Sequence, residues 1–269
     1  MGSDGRRTSE RLYDEGRWRH DADRDPRHEL GPLGWTVWRA FLRFGPPGGV
    51  GLLTDVGGGE GYFAALWPGA ARRVVVDVVP AALAVARSRG LWAIAGDARA
   101  LPFREGVADL VLCSDLLEHL PATDVPAALA ALARVLKPGG VALVHTSVYG
   151  FYLRRWFKRA PGRSPLDADD LKDGHLNRFR PGELEALAAA VGLRLERRVY
   201  YKHFFQPLTA LATRAAAGGN AGEGERKTAT LRSPLGRAAN AVRVALAQLD
   251  VLVFGWWLPG GAAVYKLVK

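Results

Sequence analysis

One cysteine, Cys113, and one methionine, the initiator, are all the sulfur in these 269 residues. A single cysteine excludes an intrachain disulfide and any multi-cysteine zinc site. Long hydrophobic runs are missing too. The longest uncharged apolar stretch, Val251 to Tyr265, spans 15 residues and is broken by Gly255, Pro259, Gly260 and Gly261. That is too short and too interrupted to span a bilayer. A targeting leader is not expected, because the opening MGSDGRRTSERLYDEGRWRHDADRDPRHE is dense in charge and has no apolar core. The sixth position is Arg6, where a myristoylation signal needs Ser or Thr. A cytoplasmic location is the expectation, with membrane association left open. Glycine is abundant, at 32 residues, but has no three-residue period, which excludes collagen. What remains is a chain that is 48% hydrophobic and long enough to bury a substantial core.

The net charge of +10 is unevenly placed. Residues 1–30 carry 7 basic and 8 acidic side chains, residues 31–150 carry 10 and 9, and residues 151–269 carry 20 and 10. An anionic partner is therefore to be sought in the C-terminal half. Arginine outnumbers lysine 30 to 7, a bias that makes some of these charges merely solubilising.

Residues 1–30 read as a polar, partly disordered segment. Gly31 to Phe44 places Trp35, Trp38, Phe41 and Leu42 at helical spacing, and Pro46-Pro47-Gly48-Gly49 ends it. From residue 50 short apolar runs alternate with helical stretches. The strands are expected at 50–56, 73–77, 91–95, 108–113, 141–146, 193–201 and 262–268. Helices are expected at 61–67, 80–89, 125–136 and 181–191, with Lys137-Pro138-Gly139-Gly140 as a break. Buried runs separated by helices of this length argue for a parallel sheet covered on both faces. Residues 148–178 and 202–258 interrupt the rhythm and read as insertions. Ala215 to Thr230 is small, polar and loop-like.

The most informative segment is Thr54-Asp55-Val56-Gly57-Gly58-Gly59-Glu60-Gly61. It follows a strand and opens a helix. Glycines there let the backbone turn sharply and let a ligand lie against the main chain. The dinucleotide spacing GxGxxG fails, because position 62 is Tyr62, and a P-loop fails because no Gly-Lys-Ser/Thr follows. The frame is DxGxGxG, which suits an amino-acid-bearing nucleoside. Asp77 ends the second strand, where a carboxylate can accept charge-assisted hydrogen bonds from vicinal ribose hydroxyls. Asp97, after the third strand, could accept from an exocyclic adenine amine.

With these pieces the sequence resembles the class I S-adenosylmethionine-dependent methyltransferases, and within them the ubiquinone/menaquinone-type and small-molecule branch. The blocks that carry the resemblance are DVGGGEGYF (55–63), VVVD (74–77), AGDARALPF (95–103), ADLVLCSDLLEHL (108–120), LARVLKPGGVALV (132–144) and HLNRFRPGELEALAAAVGL (175–193). They stand in family order over roughly residues 50–200. The resemblance implies an α/β, Rossmann-like fold: a seven-stranded, mostly parallel sheet whose last strand is antiparallel. It implies one domain over 31–269, with a lid built from the N-terminal helix (31–45) and the insertions 148–178 and 202–258. It implies S-adenosyl-L-methionine as cofactor. Asp55, Gly57, Gly59 and Gly61 would hold its methionine portion, Asp77 its ribose, Asp97 and Ala98 its adenine, with Ser114 on the methionine side.

Methyl transfer from a sulfonium is an in-line displacement that needs orientation and desolvation rather than an enzyme nucleophile. A general base is needed only for some acceptors, such as a hydroxyl. The candidates are His175 first, which the resemblance puts at the acceptor pocket, then His145 at the end of the fifth strand; His119 is the third histidine considered. Asp115, Glu118 and His119 share one helical face. Some ubiquinone-pathway relatives bind a divalent cation with an ExxEH cluster there, but Asp115 replaces the first glutamate. The reading taken is that Glu118-His119 orders the structure beneath the cofactor, with no metal.

The acceptor is the least legible part. Phe151 to Arg159 and Arg197 to Phe205 interleave aromatics with cations. Such surfaces suit a small-molecule or lipid-like acceptor with a negative group, and peripheral membrane contact; transfer to oxygen is the expected reaction. RNA is the alternative anionic acceptor, but CSDLLEHL lacks the Asn/Asp-Pro-Pro-aromatic motif of base-amine enzymes. A non-catalytic S-adenosylmethionine-binding protein of the same fold is the remaining alternative.

Overall fold

A computed structural model describes residue 30 and residues 32–150, 166, 170–171, 173–204 and 234–269. Phe151 to Arg159, Phe205, Ala215 to Thr230 and the N-terminal segment 1–29 lie outside the described residues.

The elements are helix α1 (Pro32–Phe44), strand β1 (Val50–Val56), α2 (Tyr62–Leu66), β2 (Ala70–Asp77), α3 (Pro80–Ser88), β3 (Trp92–Ala95), β4 (Ala108–Ser114), α4 (Val125–Val135), β5 (Leu136–Ser147), α5 (Glu183–Ala190), β6 (Arg194–Tyr201), α6 (Pro234–Phe254) and β7 (Ala262–Val268). A single 3₁₀ turn, Leu117–His119, follows β4. The strands form one seven-stranded sheet in the order β3-β2-β1-β4-β5-β7-β6. β3, β2, β1, β4 and β5 run parallel, and β7 lies antiparallel between β5 and β6. The strand order reverses between β1 and β4, and ligands of open α/β sheets bind at such a switch point, beyond the carboxyl ends of the strands.

Two-residue periodicity distributes each strand over two cores. Val74, Val76, Val111, Cys113, Ala142 and Val144 face α4 and α5, while Leu53, Val75, Leu110, Leu112, Val141 and Leu143 face α1, α2 and α3. All are buried, as expected of strands covered on both sides.

Three differences from the sequence-based expectation have physical reasons. Helix α1, expected as a lid, spends its apolar stripe on the sheet: Val37, Trp38, Phe41 and Phe44 are buried with Leu53 and Val264. The segment 202–258, read as an interruption, contains the 21-residue α6. It lies against α1, where the Gln248 side chain donates to the Thr36 hydroxyl at 3.2 Å. Lys137 to Gly140, expected as a break, belongs to β5, but the register slips between the Ala108 and Leu110 pairs, so the Pro-Gly-Gly bulges out of the ladder.

The insertion after β5 leaves and returns at one point. Val148 bridges Phe179 in parallel, and the Tyr149 N–H donates to the Phe179 carbonyl at 2.6 Å.

Candidate active site

The glycine loop sits at the carboxyl ends of β1 and β2. The Gly57 N–H donates to the Val76 carbonyl at 2.8 Å, which pins the loop across the end of β2. Gly59 has φ +52°, a conformation that side chains rarely adopt. A Cβ there would meet only the Asp77 carboxylate, at 4.0 Å, so the main chain at Gly59 is open to approach. Gly61 is different. A Cβ there would stand 2.3 Å from Leu91 and 2.9 Å from Val75. That glycine lets the start of α2 press against the core.

Two carboxylates flank the loop. Asp77 accepts from the Gly59 N–H at 2.8 Å and the Val79 N–H at 2.9 Å. Burial raises its pKa, and these N–H groups oppose the rise. Asp55 lies beneath Gly58, where a Cβ would come within 2.5 Å of its carboxyl carbon. It is 2% exposed. Burial lifts its pKa to about 7, the Ala64 N–H pulls the other way, and the Asp77 charge adds to the rise. Asp97 is engaged differently. Its carboxylate grips Arg99, with Arg99 Nη2 at 2.6 Å, and the same guanidinium reaches Asp124 at 2.5 Å. Ala98 is buried in the core beside it.

Across the crevice a second group forms at the ends of β4, β5 and β6. The Ser114 hydroxyl lies 2.9 Å from His145 Nδ1, and Asp115 Oδ1 lies 3.4 Å from the same nitrogen. His145 is buried, and burial drives its pKa down to about 3. Burial favours its neutral ring, whose Nδ1 is engaged by Ser114. His175 is the opposite case. Burial disfavours its charge, but the Asp170 hydrogen bond at 3.0 Å and the charges of Glu118 and Asp170 outweigh it, so the net shift is upward. The bond uses Nδ1 and leaves Nε2 without a partner among the described residues. His119 stacks edge-on against His175, with ring centroids 4.9 Å apart, and its Nδ1 meets the Gly174 carbonyl at 3.1 Å.

Glu118 points inward. Its carboxylate is fully buried and accepts from the Thr146 hydroxyl at 2.7 Å and the Ser147 N–H at 3.1 Å. Its backbone carbonyl accepts from the Leu176 and Asn177 N–H groups, and the Asn177 side chain donates to the Leu117 and Leu120 carbonyls. The HLNRF block therefore stitches the returning insertion onto the turn after β4. Asp115 stands apart from Glu118, with its side chain 58% exposed. Among the described residues no group of three or more His, Cys, Asp or Glu is placed to hold a metal.

Sequence reasoning missed two members of this group. Asp170 accepts from both His175 and Arg178, and nothing in local spacing pointed to it. Lys202 follows the last residue of β6 on the ligand-binding edge. Its strand-end position was the available signal, obscured by the cations around it.

Comparison with known proteins agrees with this architecture. Residues 54–144 match a methyltransferase domain family. The malonyl-[acyl-carrier protein] O-methyltransferase of Serratia marcescens is 38% identical over 101 residues, which cover 36% of this chain and 39% of that one. The ubiquinone/menaquinone biosynthesis C-methyltransferase of Rubrivivax gelatinosus is 37% identical over 110 residues, 39% of this chain and 43% of that one. The chain thus matches about two fifths of the length of these relatives. A solved Thermotoga maritima structure, described as an S-adenosylmethionine-dependent methyltransferase and possible histamine N-methyltransferase, superposes with a TM-score of 0.58 at 18% identity, over 97% of each chain. At that identity the likeness concerns the fold. The domain match is confined to residues 54–144, and the sheet order and the glycine loop with its two carboxylates agree with it: this stretch is similar to a methyltransferase domain, on a chain with the fold of the solved methyltransferases.

Proposed function

We propose that this chain transfers the methyl group of S-adenosylmethionine to an oxygen of a small or lipid-like acceptor bearing a negative charge. The observation that carries the transfer reading is the open main chain at Gly59, flanked by Asp77 and underlain by Asp55. The bound sulfonium supplies an electrophilic methyl group. The chain supplies the rest. Asp77 offers charged acceptors to the ribose hydroxyls. Asp55, Gly57 and Gly59 form the floor under the amino-acid portion. Asp97 stands after β3, where the resemblance puts the adenine, with its carboxylate fixed by Arg99.

Transfer to oxygen is supported by His175. An imidazole oriented through Nδ1 by a carboxylate, with Nε2 free, is the arrangement of a general base. The S. marcescens relative is named for transfer to oxygen and the R. gelatinosus relative for transfer to carbon, so the atom rests on His175.

The lipid-like character is supported by α6 and the turn after it. Leu249, Leu252, Val253, Trp256 and Trp257 are exposed, with Leu252 at 70% and Trp257 at 66%. Arg43 lies over the Trp256 ring at 4.9 Å. Tryptophan and arginine beside exposed aliphatics suit a membrane headgroup region. No helix among the described residues is long and apolar enough to cross a membrane.

Calorimetry with S-adenosylhomocysteine tests the cofactor reading. A screen with methyl-labelled S-adenosylmethionine over phenols, carboxylic acids, lipid extracts and RNA tests the acceptor. Binding with label in acids or lipids is the expected result. Label in RNA alone would overturn the acceptor reading, and binding without any transfer would leave a cofactor-holding protein that is not an enzyme.

A further inference from the structure

Two residues other than glycine have positive φ among the described residues: Asp115 at 50° and Lys202 at 64°. Such conformations are strained for residues with a Cβ, and they gather at functional sites. These two end β4 and β6, both on the ligand-binding edge, and carry opposite charges. They belong to one cluster. Asp115 Oδ1 is 3.4 Å from His145, and the His145 ring lies 5.6 Å from that of Tyr201, the residue before Lys202.

The cations of this cluster are in unlike states. The Arg178 guanidinium donates to Asp170 and to the Val148 and Gly261 carbonyls. Among the described residues the Lys202 ammonium has neither a hydrogen bond nor an ion pair. Burial holds its pKa below the ordinary lysine value, Arg178 pushes the same way, and Asp115, Glu118 and Asp170 resist. A half-buried ammonium without a partner is costly, and an entering anion removes that cost.

We propose that Lys202 is the anchor for an oxyanion of the acceptor, a carboxylate or a phosphate, at the carboxyl end of β6 opposite the glycine loop. Lys202 stands just past β6 with a left-handed backbone, and the Asp115 charge favours its ammonium without pairing with it, which leaves the pairing position to an entering anion. Only the word acceptor rests on the methyl-transfer reading; an oxyanion site at Lys202 stands on its own geometry.

The test uses the full chain with carbon-13-labelled lysine, whose seven side chains include Lys202. The Lys202 signal is the one absent from Lys202→Arg. It is expected to titrate below the other six, and Asp115→Asn is expected to lower it further. Benzoate and phenyl phosphate are then added separately, and whichever matches the acceptor group moves the midpoint upward. Binding of that probe falls at least tenfold in Lys202→Met and is largely kept in Lys202→Arg. With a turned-over acceptor from the screen, Lys202→Met raises KM far more than it lowers kcat. Three results would each overturn the proposal: a Lys202 signal that titrates with the others, a midpoint unmoved by both anions, or a loss confined to kcat with a displaced pH profile. The last would make Lys202 a base. Absent S-adenosylhomocysteine binding would instead remove the methyl-transfer reading and leave the lysine titration to decide the anion site alone.

Discussion

The two sides of the crevice are built by different means. On the β1 and β2 side the binding surface is main chain, shaped by a positive φ at Gly59 and bracketed by Asp55 and Asp77. On the β4, β5 and β6 side it is side chain: Ser114, His145, His175, Asp170 and Lys202 come from four segments. A main-chain surface serves one invariant ligand. A side-chain surface can be changed one residue at a time, which suits a variable one.

The largest expected effect breaks the first side. Asp77→Ala removes two charge-assisted acceptors, worth about 1.5–3 kcal/mol together with a ligand, and should weaken S-adenosylhomocysteine by ~10–100-fold in calorimetry. The thermal melt should stay cooperative. An unchanged Kd would remove the ribose role.

The glycines sharpen the contrast within one loop. Gly61→Ala places a methyl against Leu91 and Val75 in a left-handed conformation. It should destabilise the fold by about 2–4 kcal/mol, from overpacking and backbone strain. Gly59→Ala meets only the Asp77 carboxylate, at 4.0 Å, and should lose only about 1–2 kcal/mol from its φ, while weakening S-adenosylhomocysteine. Denaturant melts and calorimetry on both variants check this. Equal losses of stability would mean that both glycines serve packing.

The same contrast explains how much the sequence could reveal. The seven strands followed from buried runs, and the mostly parallel sheet with its antiparallel last strand from resemblance. The DxGxGxG frame was legible because a main-chain site needs particular residues within a few positions of one another, and Asp77 because it ends the second strand. The second side was not, because its contacts span long separations. Ser114 meets His145 across 31 positions, and His119 meets His175 across 56. The packing demand at Gly61 was not legible, because spacing cannot distinguish a glycine that leaves room for a ligand from one that leaves room for Leu91. Helix α6 was passed over because its exposed Leu252 and Val253 blur the apolar stripe that marks a packed helix.

A pH profile separates the two histidines. His175 must lose its proton to act as a base, and its pKa is raised above the ordinary imidazole value. The rate should therefore rise with pH through that midpoint. Asp170→Asn removes the hydrogen bond that favours the charged ring and should move the midpoint down. Because general-base catalysis contributes typically ~10²–10⁴-fold, His175→Asn should lose kcat in that range. His145→Asn should leave the shape of the profile unchanged, since its ring is already neutral. A profile that ignores Asp170→Asn would take the base role from His175.

The smallest effect concerns a fraction of one proton. In the free protein Asp55 titrates at about 7, against an ordinary value of 3.8. A raised carboxyl pKa favours the folded state below 3.8, and this contribution is lost as pH rises towards 7. The cofactor-free protein should therefore be less stable at pH 8 than at pH 5 as far as this group is concerned. A ligand ammonium placed near the Asp55 carboxylate favours its charged form. Binding near pH 7 should then release part of a proton, which calorimetry detects by comparing buffers of different ionisation enthalpy. Asp77→Ala, by removing a neighbouring negative charge, should lower the pH at which release is greatest. Release that stays at zero from pH 6 to 8 would mean that Asp55 shapes the loop without sensing the ligand, and the first side of the crevice would then rest on Asp77 and the bare main chain.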